Sequence, residues 1–116
     1  DLVQVRQAVR VNGLTEIALT KLDILCNIKE ISVCTAYEIS GSKESEMPAS
    51  LQKFRDAKPI YKQFSGWGSL TDNIINDGYN SLPQTLRDYV QFIEDEVHCK
   101  VSIISVGPER HQTIVR

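Results

Sequence analysis

Between Ser81 and Val106 the chain reads SLPQTLRDYVQFIEDEVHCKVSIISV, and its apolar period changes once. Up to Val97, the residues Leu86, Tyr89, Val90, Ile93 and Val97 recur three and four apart, which predicts one apolar stripe along a helix. Ser81 stands where a cap belongs and Pro83 falls in the first turn. From Lys100 to Val106, Val101, Ile103 and Ile104 predict a short strand of the buried type. It breaks at Gly107-Pro108 and resumes as a strand over Gln112 to Arg116. A long helix feeding directly into a buried strand points to a mixed α and β (α+β) fold, a short sheet with a long packing helix.

Working outward, Leu2, Val5, Ala8 and Val9 lie at helical spacing among Gln4, Arg6, Gln7 and Arg10, so Leu2 to Val11 reads as a short helix with Gly13 at its C-terminal end. Ile17 to Leu25 and Glu30 to Ile39 are rich in β-branched and aliphatic residues and read as two strands joined by Cys26-Asn27. In the second, Ile31, Val33, Thr35, Tyr37 and Ile39 alternate with Ser32, Cys34, Ala36 and Glu38, which places the first set on one core-facing side. Ser40 to Ser50 reads as a solvated loop, Pro59 to Phe64 as an edge strand and Ser65 to Asn80 as a loop. Trp67 reads as a loop anchor packed onto the sheet. Glu94-Asp95-Glu96 reads as a solvated helix face, and His98 and His111 as surface residues. No internal repeat is visible.

The whole is one domain's worth of chain: 116 residues, 41% apolar, 24% charged and 7% aromatic. Size scaling gives a folded chain of this mass about 6,400 Å² of accessible surface against about 19,000 Å² unfolded, enough burial for a core without staples. Thirteen Lys and Arg against fifteen Asp and Glu leave a net charge of −2, with no basic stripe for a phosphate backbone, so nucleic acid is excluded as a partner. No apolar run reaches the length of a membrane span. Three cysteines, Cys26, Cys34 and Cys99, without ligand spacing, read as reduced thiols in a cytoplasmic protein. The opening Asp1-Leu2-Val3-Gln4 resembles neither a signal peptide nor a start-methionine terminus, and the chain is expected to be a piece of a longer one.

Two places carry candidate chemistry. In Lys21-Leu22-Asp23 a cation and an anion two residues apart project to one side of a strand end, toward one ligand or toward each other. A carboxylate there can accept from both N1–H and the 2-amino group of guanine, with the lysine stem lying along the base. The bland reading is a salt bridge. Ser105-Val106-Gly107-Pro108 follows a buried strand, where open sheets place ligand loops, and its backbone N–H groups can donate to guanine O6. The bland reading is a strand-ending turn. No GxxxxGK[ST], GxGxxG or GxSxG string is present, and neither histidine stands at a catalytic spacing.

The strings Val9-Arg10-Val11-Asn12-Gly13-Leu14-Thr15, Ala18 to Leu25, Val33 to Tyr37, Ile103 to Arg110 and Gln112 to Arg116 resemble, in order and spacing, the C-terminal portion of the adenylosuccinate synthetase family. The resemblance covers essentially the whole chain. It implies a single C-terminal subdomain, residues 1–116, of a larger P-loop-like α/β enzyme. It also implies a magnesium-dependent, homodimeric ligase that uses GTP to join IMP and L-aspartate through a 6-phosphoryl-IMP intermediate, on the way from IMP to AMP. The family's pattern gives the guanine base to Lys21, Leu22 and Asp23 and to Ser105, Val106 and Gly107. Its catalytic aspartate and histidine, phosphate loop, metal ligands, IMP contacts and aspartate-binding loop lie upstream of the matching region. No catalytic or metal-binding residue is therefore assigned, and the 116 residues alone are expected to be inactive.

Relatives usually carry Asp-Gly where this chain has Cys26-Asn27, a change that a hairpin turn there should tolerate. Ser65 replaces a proline before Gly66-Trp67, and His111 a polar or acidic residue. The competing readings are a stand-alone, non-catalytic guanine-nucleotide-binding module and a scaffold with no ligand.

Overall fold

Asp1 accepts from the backbone N–H groups of Val3 and Gln4 and so caps α1, Leu2–Asn12, in the computed structural model, which describes residues 1–116. Gly13 ends the helix with φ 60°, the left-handed conformation for which glycine is suited. Then follow β1 (Glu16–Leu19), β2 (Glu30–Ile39), β3 (Ser42–Glu44), α2 (Leu51–Arg55), β4 (Lys58–Ser65), α3 (Asp72–Asn76), α4 (Gln84–Val97), β5 (Lys100–Ser105) and β6 (Thr113–Val115). The mixed α and β architecture is as expected, but the strands sort into two sheets rather than one. One has the order β1-β5-β6, with β1 and β5 parallel; the other is antiparallel with the order β3-β2-β4, β2 in the middle. No helix is long and apolar enough to cross a membrane.

The α4 stripe forms as its period requires. Leu86, Val90, Ile93 and Val97 are buried, and join Val101, Ile104 and Ile114 of the first sheet, with Val106 just past β5, in one cluster. Leu2, Leu22, Ile31, Val33 and Trp67 also belong to it. Ser81 does not cap this helix: it lies in a 3-10 turn, Tyr79–Ser81, and the cap position is Pro83.

Other sequence expectations change as well. β1 stops at Leu19, Lys21 turns into the left-handed region at φ 62°, and Ile24–Asn27 is a 3-10 turn, so Ile17 to Leu25 is not one strand. Since β1 and β2 also belong to different sheets, no hairpin joins them through Cys26-Asn27. In β2 the pairing slips between Cys34 and Ala36, a bulge that leaves Thr35 extra. The bulge reverses the inward phase. Ile31 and Val33 therefore pack in the main core, while Tyr37 and Ile39 pack with Cys34 and Val3 in a second cluster on the other face. The stretches read as loops hold β3 and α3.

Nor is Glu94-Asp95-Glu96 a uniformly solvated face. The Glu94 side chain is 12% exposed and pairs with Arg116 at 2.8 Å, and Glu96 pairs with Arg6 at 3.0 Å; only Asp95 is fully on the surface. His98 and His111 are exposed, and all three cysteines are free, with Cys34 and Cys99 buried.

Candidate functional site

The parallel pairing of β1 with β5 brings the two sequence candidates side by side, because the chain leaves both strands at the same end of the sheet. Past Leu19 the backbone turns through Lys21 and enters the 3-10 turn with Asp23 at its N-terminal cap position. Past Ser105 it runs through Gly107-Pro108 and a second 3-10 turn, Arg110–Gln112. The two segments are tied directly: the Leu22 N–H donates to the Ser105 carbonyl at 3.2 Å. Lys21, Asp23, Ile24, Ser105, Gly107 and Pro108 line one cleft of about 400 Å³.

Leu22 and Val106 have a different place. Their side chains are 1% and 3% exposed and sit in the core, so only their backbones belong to the cleft's frame. Burying Leu22 is what turns its charged neighbours outward. Lys21 is exposed, Asp23 half-buried, and the two do not pair: no ion pair or side-chain hydrogen bond in the chain involves either. The strand-end salt bridge is thus absent. A half-buried carboxylate beside an unpaired ammonium leaves all of its lone pairs available to a ligand's N–H groups.

The second segment is held from within. The Ser105 hydroxyl donates to the Gly107 carbonyl at 3.0 Å, and the Val106 N–H donates to the Gln112 carbonyl at 2.9 Å. Glu109 and Gln112 form a capping box, the Gln112 amide oxygen accepting from the Glu109 N–H at 3.0 Å. Gln112 also lies over Gly107, where an added Cβ would stand 2.1 Å from its amide oxygen, so a side chain there would push aside the amide that closes the capping box. Of the turn's donors, the Val106 N–H is taken and Pro108 has none. The Gly107 N–H has no partner in the chain and remains free for an acceptor.

Trp67 is the buried loop anchor that its sequence setting predicts, packed in the core with Ile31 and Val33 of β2, and it also reaches the site turn. It is 7% exposed, its ring packs 5.2 Å from that of Tyr89 on α4, and its indole N–H donates to the Leu22 carbonyl at 3.3 Å. Gly66 makes this approach possible, since a side chain there would collide with the Ile28 carbonyl oxygen at 1.9 Å. Only the flanking glycines hinted at it in sequence.

Volume does not single out this cleft. Others of about 390 and 440 Å³ lie around Arg6, Lys62 and Glu96 and around Ile39, Glu44 and Met47. In the first, Arg6 is already spent on Glu96 and on the carbonyls of Thr35 and Ser45. The Lys21–Asp23 cleft is set apart by its place, where the chain leaves two parallel strands side by side and the two sequence candidates meet. No group of three or more His, Cys, Asp or Glu side chains converges as a metal site.

A family model described as adenylosuccinate synthetase matches residues 1–114. The chain belongs to the adenylosuccinate synthetase family. Adenylosuccinate synthetase of Borrelia duttonii is 45% identical over 116 residues, all of this chain and 27% of the relative's length. That of Bifidobacterium adolescentis is 42% identical over 114 residues, 98% of this chain and 26% of the relative. Among solved structures, fully ligated adenylosuccinate synthetase from Plasmodium falciparum matches with a TM-score of 0.87 and 27% identity, over all of this chain and 28% of that one. The chain thus spans about a quarter of the length of the adenylosuccinate synthetases it matches.

Proposed function

We propose that this chain is the C-terminal, guanine-recognising segment, residues 1–116, of a cytoplasmic, homodimeric ligase that uses GTP to join IMP and L-aspartate into adenylosuccinate. The observation that carries the reading is the pairing, in one cleft, of the free Asp23 carboxylate with the free Gly107 N–H. Guanine presents two donors, N1–H and the 2-amino group, next to one acceptor, O6. The carboxylate accepts from the first two and the glycine N–H donates to the third. Ile24, 59% exposed at the cleft, and Pro108 offer apolar surface to the base, with the Lys21 stem beside them. Adenine has neither donor at those positions and an amino group in place of O6. It would leave the carboxylate and the N–H unpaired, at about 1–3 kcal/mol for each group desolvated without a partner.

Surface supports the segment reading. The chain exposes 7187 Å², against about 6,400 Å² for a free-standing domain of its mass. Its radius of gyration of 15.6 Å exceeds the roughly 13 Å of a compact domain this long. Val11, Leu51 and Val115 are each more than 60% exposed, as residues that await a covering layer would be. Magnesium belongs to the family's chemistry. The residues present do not form a cage for it.

The test is Asp23→Asn in the full-length ligase, with kcat/KM measured for GTP and for ATP. The amide keeps the shape but turns one acceptor into a donor, so the preference for GTP should fall by about 10- to 100-fold. An unchanged preference would overturn the guanine assignment. Adenylosuccinate formation by the 116 residues alone would overturn the segment reading.

A further inference from the structure

We propose that Trp67 is a positioning residue of the guanine pocket: its indole N–H holds the Leu22 carbonyl and thereby fixes the peptide that carries the Asp23 carboxylate. This rests on the guanine reading of the Lys21–Asp23 cleft. The argument begins with what keeps the turn after β1 in place. β1 ends at Leu19 and gives no ladder support to residues 20–27. Lys21 occupies a left-handed conformation that a lysine does not favour by itself. The turn's own bonds, Ile24 N–H to the Lys21 carbonyl and Cys26 N–H to the Asp23 carbonyl, set its internal shape but not its place in the molecule.

Its place is set at Leu22. The Leu22 side chain is buried, its N–H is held by the Ser105 carbonyl at 3.2 Å, and its carbonyl is held by Trp67 Nε1 at 3.3 Å. That carbonyl belongs to the planar peptide joining Leu22 to Asp23. Fixing the oxygen fixes the plane, and with it the direction in which Asp23 leaves the backbone. Cys26 Sγ also reaches the same oxygen at 3.6 Å, but a thiol is a weak donor and lies within the turn itself. Trp67 is the anchor from outside the two site segments. It is well seated for this, packed on Tyr89 of α4, while the Gly66 N–H donates to the Lys29 carbonyl at 2.9 Å. The indole therefore couples the long helix to the specificity turn without touching the ligand cleft.

The test compares Trp67→Phe with Asp23→Asn in the full-length ligase. Phenylalanine keeps an aromatic ring against Tyr89 and removes the donor. A lost hydrogen bond of this kind should raise KM for GTP and lower the GTP-over-ATP preference by about tenfold. The maximal rate at saturating GTP and KM for the other substrates should stay within about twofold. A purely structural tryptophan predicts a lower melting temperature with KM for GTP and the preference unchanged, and that result overturns the proposal while leaving the guanine reading in place. If Asp23→Asn leaves the preference intact, the guanine reading falls, and the positioning role with it. Should Trp67→Phe fail to fold, benzothienylalanine at position 67, with sulfur in place of the N–H and the ring shape retained, reads the same preference.

Discussion

Replacing Glu94 with glutamine separates a buried ion pair from a surface one within a single helix. Glu94 Oε1 accepts from the Val101 N–H at 2.7 Å and from Arg116 Nη1 at 2.8 Å, and the same guanidinium nitrogen donates to the Val101 carbonyl at 3.0 Å. Side-chain exposures are 12% for Glu94 and 18% for Arg116, whose guanidinium lies 3.9 Å from the centre of the Tyr79 ring. Breaking a fully buried pair costs about 3–5 kcal/mol. Here water still reaches the arginine, and the glutamine oxygen can still accept from Val101, so about 2 kcal/mol is expected for Glu94→Gln. Glu94→Ala also strands the N–H of fully buried Val101 and should cost about 3–4 kcal/mol. Glu96→Gln, whose glutamate is 37% exposed and whose partner Arg6 keeps two backbone carbonyls, should cost under about 1 kcal/mol. Urea unfolding followed through the one tryptophan measures all three. The reasoning is refuted if Glu94→Gln costs less than about 0.5 kcal/mol or no more than Glu96→Gln.

Two further outcomes follow from the same geometry. Lys21→Gly should leave the fold equally or up to about 1 kcal/mol more stable, because glycine takes φ 62° without strain, while KM for GTP rises as the stem over the base is lost; urea unfolding and steady-state kinetics read the two effects separately. Burial holds the phenols of Tyr37, Tyr79 and Tyr89 above their ordinary value of 10.0. The folded chain thus keeps protons that the unfolded chain releases, so this stabilisation is complete below pH 10 and is lost as pH rises through the raised values; urea midpoints falling above pH 10, with tyrosinate absorbance rising earlier in the unfolded chain, check it.

Much of the architecture could be read along the chain wherever burial follows a single period. The α4 stripe, the cap at Gly13, the extent of β2 and the edge position of β4 are such cases, each set by neighbours close in sequence. The misses share a cause in contacts far along the chain. Thr35 looks like any strand residue, yet the bulge it creates sends Tyr37 and Ile39 to the opposite face from Ile31 and Val33. Glu94 sits among three acids and reads as solvated until Arg116, twenty-two residues later, is brought against it. α3 is one turn and a half of mostly polar residues, too short for a period to emerge.

The candidate cleft is more instructive, because the residues were legible and the geometry invoked for them was not. Alternation along a strand predicts Lys21 and Asp23 on one side, yet there is no strand at either residue. Both nevertheless line one cleft. The alternation that mattered was of solvation: Leu22 must be buried and its two charged neighbours must not be, a requirement that a left-handed residue followed by a 3-10 turn satisfies as well as a pleat does. Polarity at spacing two thus constrained which side chains share a surface, while the backbone path was decided by partners that the spacing cannot reveal. Those partners are the Ser105 carbonyl and the Trp67 indole, 83 and 45 residues away from Leu22 in sequence. On the guanine reading, a carboxylate held through two such distant anchors is rigid only in the assembled fold, so removing the Trp67 donor should alter nucleotide choice even though the indole does not line the cleft.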